Sequence, residues 1–215
     1  MVRGVYQLIS IRCLEHPLAA DKLAQLRERT TDVPTFRRLV YELAIFLAID
    51  CTQDLMTAPA AIETPVATTE VKRLSDTVTL VPILRAGLGM VEGVLQWIPS
   101  ARVGHLGMYR NEETLKPVEY YANTPKDLDQ DVVIVLDPML ATGGSATAAL
   151  TVLKRRGAKR LKLVSLIAAP EGIAKVNEEH PDVALYTAAV DDHLNEKGYI
   201  VPGLGDAGDR IFGTL

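Results

Sequence analysis

Residues 132–146 read Val-Val-Ile-Val-Leu-Asp-Pro-Met-Leu-Ala-Thr-Gly-Gly-Ser-Ala, and few folds can accept such a stretch. Val132 to Leu136, apolar and mostly β-branched, fit a strand buried on both faces, as in a parallel sheet covered by helices. Asp137 ends the run, and Pro138 cannot continue a central strand. A turn of small and hydroxyl residues follows, Ala141-Thr142-Gly143-Gly144-Ser145, and Ala146 to Arg156 has the composition of a helix. This order seats a phosphate at a helix N-terminus, where free N–H groups and the positive dipole end favour an anion. The glycines let the backbone approach phosphate oxygens, and Thr142 and Ser145 add hydroxyl donors. The plainer alternative is a strand-to-helix turn whose Asp, Thr and Ser only cap the helix. The stretch is not a Walker A loop, since no Gly-Lys-Ser/Thr follows, and the chain has no G-x-G-x-x-G.

The flanking sequence repeats the alternation. Val78–Leu84 reads as a buried strand, Gly89–Trp97 as a helix and Val103–Met108 as the next strand, which implies a right-handed parallel crossover. Further on come a strand at Leu161–Ala168, a helix at Glu171–Glu179 and a strand at Val183–Ala189. The pattern predicts an α/β fold with a doubly wound, mainly parallel sheet flanked by helices, and ligands at the carboxyl ends of its strands. A length of 215 residues suits one domain. Its core would run from about 74 to 190, with a small hood from 1–56 and 191–215 and a β-hairpin flap at about 110–131. Before the core, Val2–Leu14 reads as an edge strand, and Leu18–Arg29 and Thr35–Cys51 as helices. Thr31-Asp32-Val33-Pro34 opens the second helix, whose apolar second half suits a place inside the fold or a subunit contact. Residues 57–73 read as a short antiparallel ribbon. The last 25 residues hold five glycines with scattered apolar residues, which predicts an irregular but docked tail.

Two strand ends open into one crevice. Arg85 directly follows a buried strand and precedes Ala-Gly-Leu-Gly, so small neighbours leave room for an anion to meet side chain and backbone together. Arg110 sits at the base of the flap. Each arginine alone would pass for a surface residue, but two converging on the Asp137 turn suit a diphosphate, and a closing flap excludes water. Asp137 can accept hydrogen bonds from vicinal ribose hydroxyls. In the tail, Gly203, Gly205 and Gly208 expose backbone groups able to read the edge of a planar heterocycle, unless they merely turn corners. Uracil and cytosine differ in donor and acceptor order there, so fixed backbone groups can tell them apart by leaving a mismatch unpaired.

Composition excludes several alternatives. A net charge of −4 argues against a nucleic-acid footprint, and the low aromatic content against base-stacking platforms. No apolar run spans a bilayer and no export signal begins the chain, so a soluble, cytoplasmic protein is expected. Four scattered histidines lack zinc-ligand spacing. Cys13 and Cys51 lie in apolar surroundings and read as buried free thiols. Arg27, Arg29, Arg37 and Arg38 read as a solvated basic helix face in preference to an effector site, and Asp191-Asp192 as solvated turn charges.

Taken together, these segments resemble the uracil phosphoribosyltransferase family. The resemblance rests on Val-Pro-Ile-Leu-Arg-Ala-Gly-Leu-Gly-Met (81–90), Gly-Met-Tyr-Arg-Asn-Glu-Glu-Thr-Leu (107–115) and Asp-Pro-Met-Leu-Ala-Thr-Gly-Gly-Ser (137–145). Ala-Ala-Pro-Glu-Gly-Ile (168–173) and Gly-Tyr-Ile-Val-Pro-Gly-Leu-Gly-Asp-Ala-Gly-Asp-Arg-Ile-Phe-Gly-Thr (198–214) add to it, and Glu15-His16-Pro17-Leu18 and Phe36-Arg37 echo the family's beginning. Ile49-Asp50-Cys51 departs from it, standing where the family usually has Tyr-Glu-Ala. The resemblance implies a type I phosphoribosyltransferase fold and transfer of a phosphoribosyl group from 5-phosphoribosyl 1-diphosphate (PRPP) to N1 of uracil, giving UMP and diphosphate in pyrimidine salvage.

Residue by residue, the resemblance implies that Asp137, Pro138, Met139, Leu140, Ala141, Thr142, Gly143, Gly144 and Ser145 hold the ribose phosphate of PRPP. Arg85 and Arg110 would contact its diphosphate, and Ile200, Gly205, Asp206 and Ala207 would bind uracil. Asp206 would also face PRPP and its Mg²⁺, through water, the metal being held mainly by PRPP. Asp206, Arg85 and Arg110 would be the catalytic residues. A homo-oligomer, dimer or higher, is implied, and a GTP effector is left open. Two other readings stay in view: an RNA-binding regulator on the same fold, which the acidic charge opposes, and a transferase for a purine or orotate. Orotate would want a cation in the base pocket, for which Lys197 and Arg210 are the candidates.

Overall fold

The two apolar runs at 78–84 and 132–136 are neighbours in the middle of one sheet. The computed structural model describes residues 11–110 and 117–214. The chain opens with β1 (Ile11–Cys13), α1 (Pro17–Arg27) and α2 (Val33–Cys51). Asp32 caps α2 by accepting the N–H of Thr35 at 2.9 Å, and Pro34 falls in the first turn, where no intrahelical donor is lost. The ribbon is an antiparallel hairpin of β2 (Thr57–Glu63) and β3 (Thr68–Leu74), joined to each other and not to the main sheet.

The α/β region then runs β4 (Thr77–Leu84), α3 (Leu88–Trp97), β5 (Arg102–Val103), β6 (His105–Arg110) and β7 (Pro117–Asn123). It continues with β8 (Asp131–Leu136), β9 (Met139–Leu140), α4 (Gly144–Arg155), β10 (Arg160–Ala168), α5 (Pro170–Glu179) and β11 (Ala184–Val190). The tail forms β12 (His193–Leu194), β13 (Ile200–Val201) and α6 (Ala207–Phe212). The expected edge strand is present at Ile11–Cys13; residues 2–10 of that expectation lie outside the described residues. So do 111–116 of the hairpin expected at about 110–131; its described strand, β7, pairs antiparallel with β6 of the main sheet.

The sheet order is β1-β11-β10-β8-β4-β6-β7. From β4 the chain crosses to β6 on one side, then returns to build β8, β10 and β11 on the other. The reversal falls between β4 and β8, which pair in parallel from Thr77↔Asp131 to Pro82↔Leu136. Crevices of doubly wound sheets lie outside the carboxyl ends at such a switch point, and here those ends carry Arg85 and Asp137.

Side chains alternate across the sheet. Val132, Ile134 and Leu136 join Leu23, Leu43, Met90 and Ile211 from α1, α2, α3 and α6 on one face. Val133 and Val135 meet Leu150 and Leu153 of α4 and Val176 of α5 on the other. Leu43 and Leu47 of α2 are fully buried, each contributing about 2 kcal/mol of burial energy. The apolar half of α2 is therefore inside the fold. Gly93 lets α3 cross it closely, because a side chain there would overlap the Tyr41 carbonyl. Cys51 is buried as expected, with its thiol pushed up to about 12 by burial. Cys13 is exposed, against expectation: it lies on β1, the sheet's outer strand, whose residues face solvent.

Away from the crevice, at the amino ends of the strands, the buried Asp131 accepts from the Thr79 hydroxyl and the Arg102 guanidinium. Arg102 also reaches Asp127 at 2.9 Å. Among the described residues no helix is long and apolar enough to cross a membrane.

Candidate active site

Pro138 interrupts β8 as its missing N–H demands, yet the chain does not leave the sheet there. The Pro138 carbonyl accepts the N–H groups of Leu166 and Ile167 at 3.1 and 3.2 Å, and β9 resumes pairing with β10. Met139 and Leu140 are thus fixed to the sheet, and Asp137 stands at the break. Its carboxylate accepts the N–H of Met139 at 3.3 Å. Packing around the carboxyl pushes its pKa up to about 6, burial outweighing the hydrogen bond from Met139, which acts to lower it.

Beyond β9 the backbone turns through Gly143, whose φ of 76° suits glycine, and enters α4. The N-cap, Gly143, has no side chain, and the Gly144 N–H makes a long 3.5 Å bond to Thr142 Oγ1; this helix end opens on a hollow of about 110 Å³ lined by Asp137 and residues 139–146. Thr142 and Ser145 are exposed there. Pro138 is buried and does not line the hollow, while Leu140 is buried in the apolar cluster beneath it. Gly172 of α5 closes the floor, because a side chain on it would overlap the carbonyl of Ala141. An unblocked helix N-terminus, hydroxyls and a rigid floor make an oxyanion seat.

Arg85 follows β4 on the neighbouring strand. Its side chain is 63% exposed, 3.9 Å from the Asp209 carboxylate and 5.8 Å over the Phe212 ring, so the guanidinium is free to meet an incoming anion. Arg110 closes β6, the strand beyond β4; its side chain lies outside the described residues.

The tail lies across both strand ends. A methyl group on Gly198 would sit 3.7 Å from Cγ2 of Thr142, and one on Gly208 would sit 3.9 Å from Cβ of Ala86. Between those points β13 pairs with β12, Ile200 is buried, and Asp206 caps α6 by accepting the N–H of Asp209 at 2.9 Å. Gly205 and Asp206 are exposed, and Ala207 begins α6. The structure thus brings Arg85, Asp137, residues 139–145, Gly205 and Asp206 to one end of the sheet.

Two sequence readings need correction. Asp191 is buried, not a solvated turn charge, and accepts two hydrogen bonds from Arg27 at 2.5 and 2.8 Å. Arg37, though exposed, donates to the Ile211 carbonyl at 2.5 Å, and the exposed Arg38 pairs with Glu42 at 2.9 Å. Two of the four arginines, Arg27 and Arg37, therefore brace the tail, while Arg29 and Arg38 stay exposed as read. Short-range sequence patterns carry no sign of partners so far apart. Arg210 is not free to meet an orotate carboxylate: it donates to the carbonyls of Leu26, Leu204 and Glu28 and stacks 4.3 Å over Phe36. Lys197 is exposed in the β12–β13 turn.

No group of three or more His, Cys, Asp or Glu able to hold a metal occurs among the described residues. The donor set instead suits Mg²⁺, which keeps its waters and binds through one or two carboxylates plus substrate phosphates.

The uracil phosphoribosyltransferase family model matches residues 13–214. The uracil phosphoribosyltransferase of Shouchella clausii is 56% identical over 205 residues, covering 95% of this chain and 98% of that one. That of Clostridium botulinum is 57% identical over 202 residues, covering 94% and 97%. Among solved structures, the AQ2163 protein of Aquifex aeolicus superposes with a TM-score of 0.89 at 40% identity, covering 94% and 97%. A hypoxanthine-guanine phosphoribosyltransferase of Bacillus anthracis, at 14% identity and a TM-score of 0.51 over 72% and 78% of the two chains, shares the fold. With a match over nearly all its length, the chain belongs to the uracil phosphoribosyltransferase family.

Proposed function

We infer that the protein transfers the phosphoribosyl group of PRPP to N1 of uracil, releasing diphosphate and forming UMP. The observation that carries this reading is the meeting of three parts at one switch point: the open α4 N-terminus beside Asp137, Arg85 on the adjacent strand, and a tail offering backbone groups.

Each part has a task in the reaction. The 139–145 turn holds the 5-phosphate, and Asp137 accepts from the ribose hydroxyls. Breaking the anomeric C–O bond sends its electron pair to the leaving diphosphate and leaves positive charge on the ribose. Arg85 and Arg110 stabilise the charge growing on the diphosphate. Bound Mg²⁺, held mainly by the diphosphate with Asp206 reaching it through water, would supply further neutralisation there. Ile200, Gly205, Asp206 and Ala207 orient uracil so that N1, on losing its proton, bonds to C1 of the ribose. Much of the rate enhancement then comes from alignment, and no covalent nucleophile is required.

The same reading assigns the tail, with the α1–α2 end, to a hood over the strand ends and the segment at about 110–131 to a flap. It assigns the β2–β3 hairpin, exposed along most of both strands, to the contact of a homo-oligomer. A cytoplasmic setting completes it, and a response to GTP is decided by the same assay. Turnover with PRPP and Mg²⁺ against uracil, cytosine, orotate and hypoxanthine, with and without GTP, is the test. UMP and diphosphate from uracil alone are expected; turnover of another base in preference to uracil would overturn the assignment.

A further inference from the structure

The tail offered as the base reader is not held by its own turns alone. At Gly203 the chain bends with a φ of 65°, and a side chain there would overlap the carbonyl of Ile200. The peptide groups on both sides of that bend are gripped from outside. The Gly203 N–H donates to Asp191 Oδ2 at 2.9 Å, and the Gly203 carbonyl accepts from Arg27 Nη1 at 2.8 Å. Arg27 and Asp191 are joined by a two-pronged ion pair, Nη2 to Oδ1 at 2.5 Å and Nη1 to Oδ2 at 2.8 Å. The Asp191 side chain is 4% exposed and that of Arg27 23%, so water competes little for these bonds. Both partners have firm seats: Arg27 ends α1, and Asp191 follows β11, with its N–H bonded to the Ala168 carbonyl at 2.8 Å.

We propose that Arg27 and Asp191 are positioning residues for the base, setting the path of the tail so that Ile200 and Gly205–Ala207 present their backbone groups in register with uracil. Gly203 lies three residues after Ile200 and two before Gly205. A planar guanidinium fork bonded to a carboxylate fixes angle as well as distance, which a single ammonium cannot do. A backbone reader depends on such fixing, because it discriminates only while its donors and acceptors stay in place. The inference rests on the reading of the tail as the uracil site, and it adds residues that touch neither substrate.

The test compares Arg27→Lys, Arg27→Met and Asp191→Asn with the parent enzyme in steady-state kinetics, with thermal unfolding in parallel. Arg27→Lys keeps the charge and loses the fork. The expected result is a uracil KM raised about tenfold, the effect of one hydrogen-bond energy, with the PRPP KM within about twofold and weaker discrimination against cytosine. Arg27→Met should exceed Arg27→Lys on both uracil measures. A purely structural ion pair would lower Tm and leave the KM ratio and base selectivity unchanged, and that result overturns the proposal. Ala207→Pro separates this outcome from failure of the underlying reading. It removes one N–H at a helix start that tolerates proline. If Ala207→Pro leaves uracil binding intact, the tail is not the base reader and the proposal falls with it; if only the Arg27 and Asp191 variants are silent, the positioning role alone fails.

Discussion

Gly87 lies so near the end of β8 that a methyl group on it would overlap the carbonyl oxygen of Leu136, the residue before Asp137. The Arg85 turn and the Asp137 turn are therefore in backbone contact as well as on neighbouring strands. Gly87 has an ordinary φ of −58°, so its requirement is space and not conformation. Gly87→Ala should cost about 1–3 kcal/mol in urea unfolding by overpacking and should raise the PRPP KM. Unchanged values of both would show that the strand ends can part without consequence.

Asp137 carries a linkage prediction. Its pKa in the fold, about 6, lies above the ordinary 3.8, so the folded state binds its proton more tightly than the unfolded chain does. Stability from this group is full below pH 4, declines as pH rises toward 6, and is lower by roughly 3 kcal/mol above that. Asp137→Asn removes the penalty. Its Tm should exceed the parent's at pH 7–8, with the gain vanishing near pH 4, while the PRPP KM rises at least about tenfold as charge-assisted bonds to the ribose are lost. A Tm gain independent of pH would contradict the account.

Arg85→Ala should separate catalysis from stability. The side chain is largely exposed and its pairing with Asp209 is loose, so Tm should stay within about a degree or two. Turnover should fall about 10²- to 10³-fold if the guanidinium stabilises the leaving diphosphate. Rapid-quench kinetics would locate the loss in the chemical step, and near-normal turnover would remove Arg85 from that role.

Asp206→Asn keeps a good helix cap and removes a charge. The expectation is an intact α6, unchanged unfolding and reduced turnover that is most marked at low Mg²⁺. Equal activity at every Mg²⁺ concentration would exclude Asp206 from the reaction.

Lys162→Met is the structural control. The Lys162 ammonium is buried on β10, where it donates to the Cys51 carbonyl at 2.6 Å and to Asp54. Asp54 is 64% exposed and can return to water, so the main loss is one unpaired buried carbonyl, about 1–3 kcal/mol. Chemical unfolding should show that loss, with uracil and PRPP kinetics unmoved.

The sheet was legible because its information is local. Val132–Leu136 and Val78–Leu84 are runs long enough to state their burial, and Gly143-Gly144 mark the turn where a helix begins. β9, β12 and β13 have two residues each and α6 has six, too few for periodicity to register. Arg27 and Asp191 were misread for a different reason. An arginine near a helix end and an aspartate after a strand look solvated in isolation, and only their meeting across the fold buries them. Pro138 told half of its story: it breaks β8 as read, but the pairing with β10 resumes at once.

The contacts that seat the tail span 164 residues for Arg27–Asp191, 174 for Arg37–Ile211 and 184 for Arg210–Leu26. Loop-closure entropy grows only logarithmically, about 0.6 kcal/mol per doubling of length. Ten residues added at Val66, 94% exposed at the hairpin tip, would change the closure term by only about 0.05 kcal/mol. The seat of the tail is thereby insulated from how much chain lies between its anchors, and the outlying hairpin is free to lengthen or shorten without altering where the tail sits.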